Sequence, residues 1–403
     1  MPRMDRTTFM RLDLKTAKIL TSDEARDTLL MFRHIGEDPL AIQESFKGLF
    51  PKKVAEALGE LRALRRRATY KFSQGLDMYF TRPLLEQASS ESVAAYRARR
   101  FADAGVKIVH DPCCGMGSDA IALARAGLKV YASDKDEVAL HFAETNAAVY
   151  RAEGIQWSVA DASEVIPPKG AIFLDPARRR GSRRIMDPND WSPTPEHIGK
   201  LLEGRGAACL KLSPATDLEV LLELFPQPDE IEVISLKGEA KETLFWYGKL
   251  ASGVERRATC LPDEESFAGP EHAQAPTGEI GAHIYDPDPA LIRAGLLGAF
   301  AEEHGLRTID PEIAYLTGDQ VVDSPFLSGL KVLGQESLDP RKMRKLLREF
   351  KVGTLRIRKR GIAERPGALE QRFLPKSFGD RTLTLVATRI GDRHVGFLAE
   401  PHA

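Results

Sequence analysis

The stretch 111–118 reads Asp-Pro-Cys-Cys-Gly-Met-Gly-Ser, and it lies between a strand-like run at 107–110 and a helical pattern at 118–126. Two glycines in it, Gly115 and Gly117, allow a sharp backbone turn and the close approach of a ligand, because glycine has no Cβ. The N-terminus of the helix that follows has free N–H groups, which attract anionic groups. We therefore predict a ligand-binding turn between a β-strand and an α-helix at this point.

Short runs typical of strands alternate with helical patterns beyond this turn. The further strand-like runs occupy residues 130–133, 157–159, 171–174, 207–210 and 230–234. A second helical pattern, at 137–150, lies between the first two of them. This alternation predicts a parallel, doubly wound α/β sheet.

Four acidic residues follow the ends of predicted strands: Asp111, Asp134, Asp161 and Asp175. Open α/β sheets bind ligands at the carboxyl ends of their strands, so we expect these side chains along one edge. A carboxylate at Asp111 suits a cationic amine, and one at Asp161 suits the exocyclic amine of an adenine. Pro176 follows Asp175 and makes the backbone rigid at the rim of the sheet.

Residues 115–120, read as Gly-x-Gly-x-x-Ala, also fit a dinucleotide-binding turn, with Asp134 as the ribose ligand. In such a turn the first glycine lies close to the strand end, but here Asp111 occupies that place. No group of residues further along the chain is typical of hydride transfer. An NAD-dependent enzyme is therefore the weaker alternative.

The order of these motifs resembles the class I S-adenosylmethionine-dependent methyltransferases over roughly residues 70–248. The resemblance implies a Rossmann-like methyltransferase sheet with S-adenosylmethionine as the cofactor. It implies that Asp134 holds the ribose, that Asp161 holds the adenine amine, and that the catalytic residues Asp175 and Pro176 lie next to the methyl group. The implied cofactor contacts are Thr81, Asp111, Cys113, Gly115, Gly117, Asp134, Asp161 and Ala162.

Two further segments bear on the substrate. Residues 70–83 resemble an extra motif that precedes the first strand in many RNA methyltransferases, where Thr81 would contact the cofactor. Nucleic-acid amino methyltransferases carry Asp/Asn-Pro-Pro-Tyr/Phe at the catalytic strand end, whereas residues 175–178 read Asp-Pro-Ala-Arg. The atom that is methylated therefore stays open, with Arg178 able to stack on a base in place of the aromatic residue.

The whole pattern also resembles a bacterial group with a ferredoxin-like piece followed by a THUMP-like module, and this implies an RNA substrate. A cluster of arginines after the catalytic strand end supports this independently, because guanidinium groups attract phosphates. It consists of Arg178, Arg179, Arg180, Arg183 and Arg184. Residues 341–361 add ten basic residues and one acid, a second candidate surface for nucleic acid.

We predict four parts in the chain. An N-terminal helical domain covers 1–68, with a helix start at 21–24, and the methyltransferase domain covers 69–260. A linker and ferredoxin-like segment follows at 261–325, in which 261–279 is rich in turn-forming residues. A helix is expected from a start signal at 286–289 to Gly305. The THUMP-like domain covers 326–403 and includes a hairpin that turns at residues 391–392.

Composition narrows the function further. Lys and Arg number 57 against 58 Asp and Glu among 403 residues, so any nucleic-acid surface must be local. No apolar run approaches the ~18 residues that span a bilayer, and the start of the chain does not resemble a secretory signal. The four cysteines fit neither a disulfide framework nor a zinc site. We therefore expect a cytoplasmic, reduced protein without a metal ion or membrane contact, of open oligomeric state.

Two alternative functions remain at this point. A small-molecule or protein methyltransferase would use the arginines after residue 177 to bind an acidic partner. A non-catalytic RNA-binding protein would keep the fold and the cofactor without transferring a methyl group, as the incomplete catalytic motif permits.

Overall fold

The computed structural model describes residues 12–32, 45–164, 167–168, 170–176, 191–271 and 274–402, with the backbone alone of residues 179–180 and 183–184. These residues form two compact units. The first lies within Met1–Asp229 and Thr243–Gly253, and the second within Glu230–Glu242 and Val254–Ala403. The division into four parts and its boundaries stay a prediction.

Helices make up the first unit as far as its first strand. They are α1 (Leu14–Leu20), α2 (Asp23–Met31), α3 (Lys52–Ala68), α4 (Arg82–Gln87) and α5 (Glu91–Asp103). The predicted helix start at 21–24 is confirmed, because the Ser22 hydroxyl accepts a hydrogen bond from the Ala25 N–H at 3.3 Å and so caps α2. Apolar residues of α1, α2 and α3 share one hydrophobic cluster with Val138 and Phe142, which belong to the following α/β part.

The sheet of the first unit is built from alternating strands and helices. In chain order these are β1 (Ile108–Asp111), α6 (Ser118–Arg125), β2 (Lys129–Asp134), α7 (Glu137–Val149), β3 (Ile155–Val159), β4 (Ala171–Leu174), β5 (Arg179–Arg180), β6 (Arg183–Arg184), α8 (Pro195–Leu202), β7 (Ala207–Leu212) and α9 (Leu218–Leu224). The strand order β7–β4–β1–β2–β3 is parallel throughout, as predicted. Every residue of β4 and β7 is buried, as expected for strands covered on both faces.

One strand of this sheet runs antiparallel to its neighbour, whereas the sequence predicted a parallel sheet. β8 (Glu230–Leu236) ends at a turn formed by Lys237 and Gly238, with φ angles of 53° and 76°, and the chain then enters β9 (Glu239–Gly248). Two-residue turns with positive φ at both positions reverse the chain. Residues 243–248 of β9 pair antiparallel with β7. An antiparallel strand therefore completes the sheet of the first unit.

The second unit is an α+β structure. After β8 it contains β10 (Arg256–Leu261), β11 (Glu265–Gly269), β12 (His283–Pro287), α10 (Pro289–Arg293), α11 (Leu297–Glu303), β13 (Arg307–Asp310), β14 (Ile313–Gly318), β15 (Leu327–Ser337), α12 (Pro340–Glu349), β16 (Val352–Lys359), α13 (Pro366–Phe373), β17 (Arg381–Ile390) and β18 (Arg393–Pro401). Strands β12 to β18 form one sheet in the order β13–β14–β12–β15–β18–β17–β16. The predicted hairpin is confirmed, since β17 and β18 pair antiparallel around residues 391–392.

Two local predictions in this unit are wrong. The stretch 261–279, expected to be a linker, contains β11, which pairs antiparallel with β10. The helix expected from 286–289 to 305 begins as predicted, with Asp288 capping α10. It is divided into α10 and α11, because Gly295 between them has a φ angle of 73°, outside the helical range. Among the described residues, no helix is both long enough and apolar enough to cross a membrane.

Candidate active site

The strand register brings charged residues to one edge of the sheet in the first unit. Asp111 and Asp134 are the last residues of the neighbouring strands β1 and β2. Asp175 directly follows β4, and it lies beside Lys211 of β7. Asp161 comes just after β3, next to β2. The strand order thus places the four acids along the carboxyl edge of the sheet, as predicted, and Lys211 lies at the same edge.

The two glycines of the predicted turn have different surroundings. Both have positive φ, 54° at Gly115 and 84° at Gly117. A Cβ at Gly117 would lie 3.0 Å from the Cβ of Ala143 in α7, whereas a Cβ at Gly115 would meet no atom within 4 Å. Helix packing therefore requires the second glycine, and open space borders the first, as a ligand-binding turn needs.

Asp134 holds this turn in place. Its carboxylate accepts hydrogen bonds from the N–H of Gly115 and from the N–H of Asp136, each at 2.9 Å. Burial raises the pKa of Asp134, and these two hydrogen bonds act against that increase. Each carboxylate oxygen has a second lone pair, so Asp134 retains acceptors for the hydroxyls of a ribose.

Asp111 is the most unusual group at the edge. It is 1% exposed, and among the described residues no donor forms a hydrogen bond of normal geometry with either carboxylate oxygen. Burial raises its pKa well above the usual range, and Asp119 and Asp175 raise it further, while the backbone N–H of Cys113 acts in the opposite direction. A buried carboxylate without a partner is costly, so this position favours a cationic ligand.

A buried network of charges lies beside it. The Lys211 ammonium donates to Asp175 Oδ2 at 2.5 Å and to Ser89 Oγ at 3.0 Å. The Ser89 hydroxyl donates to Asp119 Oδ2 at 2.9 Å, and the Arg97 guanidinium donates to Ser89 Oγ at 2.8 Å and pairs with Asp119 Oδ1. Burial raises the pKa of Asp119, but Arg97 and Lys211 more than compensate, and the net shift is downward.

Asp161 is more accessible than these groups. Its Oδ1 accepts a hydrogen bond from the Ser163 N–H at 2.8 Å, and the Lys135 ammonium lies 3.8 Å from Oδ2. The Ser163 hydrogen bond and Lys135 lower the pKa of Asp161. Ala162 beside it is buried. An ionised carboxylate next to a small apolar residue suits an adenine amine and its ring.

The segment before β1 contacts the glycine turn through one side chain. Asn146 of α7 accepts a hydrogen bond from the Tyr79 N–H at 2.8 Å and donates to the Tyr79 carbonyl at 2.9 Å and to the Met116 carbonyl at 3.1 Å. Thr81, two residues further on, caps α4 by accepting from the Leu84 N–H at 3.5 Å. The structure thus places the segment near the turn.

The two adjacent cysteines are not activated thiols. Burial and the neighbouring acids, first of all Asp111, raise the pKa of Cys113 and of Cys114 well above the usual range. The Cys114 N–H donates to the Ser133 carbonyl at 3.0 Å, which ties the turn to β2. Cys114 is buried in the core, and the contact of Cys113 with the cofactor stays a prediction. Within the described residues, no three His, Cys, Asp or Glu side chains are grouped to hold a metal ion.

Two family models match parts of the chain. One is described as "RNA cap guanine-N2 methyltransferase" and matches residues 106–180, which include β1 to β4 and the glycine turn. The other is described as "THUMP domain-like" and matches residues 327–401, which correspond to β15 through β18.

A curated relative, recorded for two strains of Mycobacterium tuberculosis, is an uncharacterised S-adenosylmethionine-dependent methyltransferase. It is 36% identical over 344 residues, which are 83% of this chain and 92% of the relative. The chain belongs to the S-adenosylmethionine-dependent methyltransferases. The fold agrees with a crystal structure from Porphyromonas gingivalis W83 that is assigned as a methyltransferase, with a TM-score of 0.76, 23% identity and coverage of 98% of this chain and 100% of that one.

The buried charges of the methyltransferase fit its cofactor. Among the described residues, Arg97 pairs with Asp119 and Lys211 pairs with Asp175, whereas the Asp111 carboxyl has no cationic partner. S-adenosylmethionine carries a sulfonium, an ammonium and one carboxylate, and therefore one net positive charge. Asp111 is the group that would hold the cationic part.

The arginine cluster of the methyltransferase is described in part. Arg178 lies outside the described residues. The backbone of Arg179 and Arg180 pairs antiparallel with that of Arg184 and Arg183, so β5 and β6 form a short hairpin after the catalytic strand end. The role of these five arginines in substrate binding stays a prediction.

Several residues of this edge were not among the predicted ones. Ser89, Arg97, Asp119 and Asn146 come from helices and loops, and no local pattern marks them. Lys211 differs from these four, because the sequence suggests residues 211–214, after a strand-like run, either as a border of the substrate pocket or as the turn that ends the strand. A lysine at the end of a buried strand must find a partner.

Proposed function

We propose that this methyltransferase transfers a methyl group from S-adenosylmethionine to RNA, in the cytoplasm. The methyltransferase activity follows from the family, and the RNA substrate is the added step. The descriptions of the two matching family models support an RNA substrate. One model is named for methylation of an RNA cap, and the other for a domain like THUMP. True THUMP modules present RNA to an attached methyltransferase.

A basic surface on α12 carries the proposal. Arg341, Lys345 and Arg348 are exposed and are spaced by four and three residues, so they lie along one face of the helix. We call these three residues the basic stripe. Within the described part of the chain, no carboxylate forms an ion pair with any of them. The Arg348 guanidinium lies over the Phe378 ring, 4.9 Å from its centroid. Exposed cations in a row without a carboxylate partner suit the phosphates of a nucleic acid.

The opposite face of α12 keeps the stripe turned to solvent. Met343 and Leu347 are fully buried in a cluster with Leu355 of β16 and Leu385 of β17. This anchoring fixes the rotation of the helix about its axis. The stripe is therefore a surface of the folded unit rather than of a free helix.

The chemistry at the edge requires few groups. S-adenosylmethionine supplies an electrophilic methyl group on its sulfonium. Asp175 Oδ2 is held by Lys211, and among the described residues no donor contacts Oδ1. We infer that Oδ1 accepts a hydrogen bond from the attacking group of the RNA, orients its lone pair and can take its proton. Pro176, which is buried, keeps the backbone fixed there. Holding the nucleophile at near-attack distance supplies most of the rate increase for such a transfer.

Transfer of labelled methyl from S-adenosylmethionine tests the proposal. Purified protein is incubated with extract from cells that lack the gene, and the products are treated separately with ribonuclease and with protease. We expect the label to be lost with ribonuclease alone. Asp175→Asn serves as the matched control, because it keeps the shape of the side chain and removes its charge, and it should transfer less than a tenth as much label.

Other distributions of label would contradict the RNA substrate. Label that is lost with protease, or that remains in the small-molecule fraction, would identify another acidic partner for the same active site. Transfer to no fraction by a protein that binds S-adenosylhomocysteine would favour the non-catalytic RNA-binding alternative.

A further inference from the structure

The neighbour of Asp175 is built into the sheet. Leu174 in β4 pairs with Leu210 in β7, so the next residues along the two parallel strands, Asp175 and Lys211, are also neighbours. Lys211 is 8% exposed and its ammonium lies 2.5 Å from Asp175 Oδ2. The backbone of two central strands therefore fixes the position of this ion pair.

A second contact fixes the ammonium itself. Lys211 also donates to Ser89 Oγ at 3.0 Å, and Ser89 is held in turn by Arg97 and Asp119. A lysine side chain is long and has several rotatable bonds, so one ion pair alone would leave its position variable. The contact with Ser89 places the ammonium on one side of the carboxylate.

We propose that Lys211 is a positioning residue for methyl transfer, which holds Asp175 Oδ2 so that Oδ1 faces the substrate nucleophile. The inference rests on the proposed function, because it assigns Asp175 to the reacting group. The Asp175 side chain is 25% exposed, against 10% for that of Lys211. The accessible part of the pair is thus the carboxylate, and the lysine acts through it.

A purely structural ion pair would have different consequences. Its loss would lower the stability and would weaken cofactor binding and turnover together. A positioning role predicts a lower kcat with little change in the affinity for S-adenosylhomocysteine or in the KM for the acceptor. It also predicts that the effect of Lys211 vanishes once Asp175 has been changed.

A double-mutant cycle tests this role in the full-length protein. The variants are Lys211→Met, Asp175→Asn and both together, with Lys211→Arg to restore the positive charge. Lys200→Met is the matched control, because Lys200 pairs with Glu196 at 2.7 Å on the surface of α8. Rates are measured with labelled S-adenosylmethionine on the extract fraction that wild type labels, and S-adenosylhomocysteine affinity is measured by calorimetry.

We expect Lys211→Met to lower kcat about 10- to 100-fold with S-adenosylhomocysteine affinity within threefold of wild type. Lys211→Arg should recover part of the rate, and Lys211→Met should cost less than twofold in the Asp175→Asn background. Should Lys211→Met fail to fold, Ser89→Ala removes only the contact that fixes the ammonium. We expect it to lower kcat by about three- to tenfold at unchanged affinity.

Additive effects of the two changes would overturn the positioning role, as would a parallel loss of affinity and rate or no loss at all. If wild type labels protein or a small molecule, the RNA substrate is wrong, and the cycle on that fraction still tests Lys211. Absence of transfer by wild type to any fraction would contradict both proposals.

Discussion

The carboxyl edge of the first unit and the basic stripe of the second use charge in opposite ways. At the edge, Arg97 and Lys211 are buried, and each is tied to named acceptors at hydrogen-bond distance. The three cations of the basic stripe on α12 are exposed and form no ion pair with a carboxylate among the described residues. Buried charges interact strongly and depend on geometry, whereas exposed charges are weakened by solvent and salt. Each charge of the edge should therefore matter individually, and the stripe should act as a sum.

The largest effect on stability is expected from breaking the buried ion pair of Arg97 with Asp119. Arg97→Met leaves Asp119 buried without its guanidinium, and loss of one partner of such a pair costs about 3–5 kcal/mol. We expect the free energy of unfolding to fall by that amount in a denaturant titration. Arg26→Met, which removes a surface pair with Asp23, is the control and should change the stability very little. A stability close to wild type for Arg97→Met would show that the edge tolerates an unpaired charge.

The packing of the glycine turn gives the next largest effect. Gly117→Ala meets both an unfavourable φ and Ala143 at 3.0 Å, so we expect a loss of about 1–3 kcal/mol in unfolding experiments. Gly115→Ala meets no atom within 4 Å and should cost less stability. Because its Cβ would enter the open space, it should weaken S-adenosylhomocysteine binding instead. The same loss of stability in both variants would contradict the difference between the two glycines.

The buried Asp111 predicts that the stability of the cofactor-free protein depends on pH. Burial raises the pKa of Asp111 in the folded state, so folding favours the protonated form. Its contribution is favourable below the unfolded pKa and is lost as the pH rises through the folded pKa. Asp111→Asn should therefore stabilise the cofactor-free protein on the high-pH side, as measured by melting temperature against pH. Asp161→Asn is the control, because the pKa of Asp161 is lowered and its pH dependence should have the opposite sign.

The smallest effect per residue is expected from the basic stripe, and it concerns the affinity for RNA. Changing Arg341, Lys345 and Arg348 together to Ala removes three phosphate contacts, and we expect the slope of log affinity against log salt to fall by about 2 on single-stranded RNA. The control changes three exposed lysines of the first unit to Ala, namely Lys52, Lys107 and Lys249. It carries the same change in net charge and should leave the slope near wild type. Equal slopes in the two triple variants would remove the stripe from the RNA site.

The sequence predicted what is local or periodic. Alternating strands and helices identify the parallel sheet, and acids at successive strand ends identify its binding edge, because both patterns repeat over short distances. The antiparallel β9 follows a two-residue turn at Lys237 and Gly238. Glycine is a local signal for such a turn, but lysine is uncommon at positive φ, so the sequence pattern predicted the turn only weakly. The division of the helix at Gly295 had a similarly weak signal, since glycine also occurs within helices.

The buried network could not be predicted in this way. Ser89 and Lys211 are 122 residues apart in the chain, and Lys211 and Asp175 are 36 apart. Their contact depends on the order and register of β4 and β7 and on how α5 packs over the sheet. Asn146 likewise joins two segments that are distant in sequence, at Tyr79 and Met116. Tertiary packing alone brings these side chains together.

The central claim is that Asp111 has no cationic partner among the described residues and that the cofactor supplies one. Calorimetry of S-adenosylhomocysteine binding in buffers of different ionisation enthalpy, between about pH 5 and 8, tests it most directly, because this product keeps the ammonium group. We predict that binding releases up to one proton where Asp111 is protonated in the free protein, and that Asp111→Asn binds more weakly without this release. Proton release that persists in Asp111→Asn, or equal affinity of the two proteins, would contradict the claim.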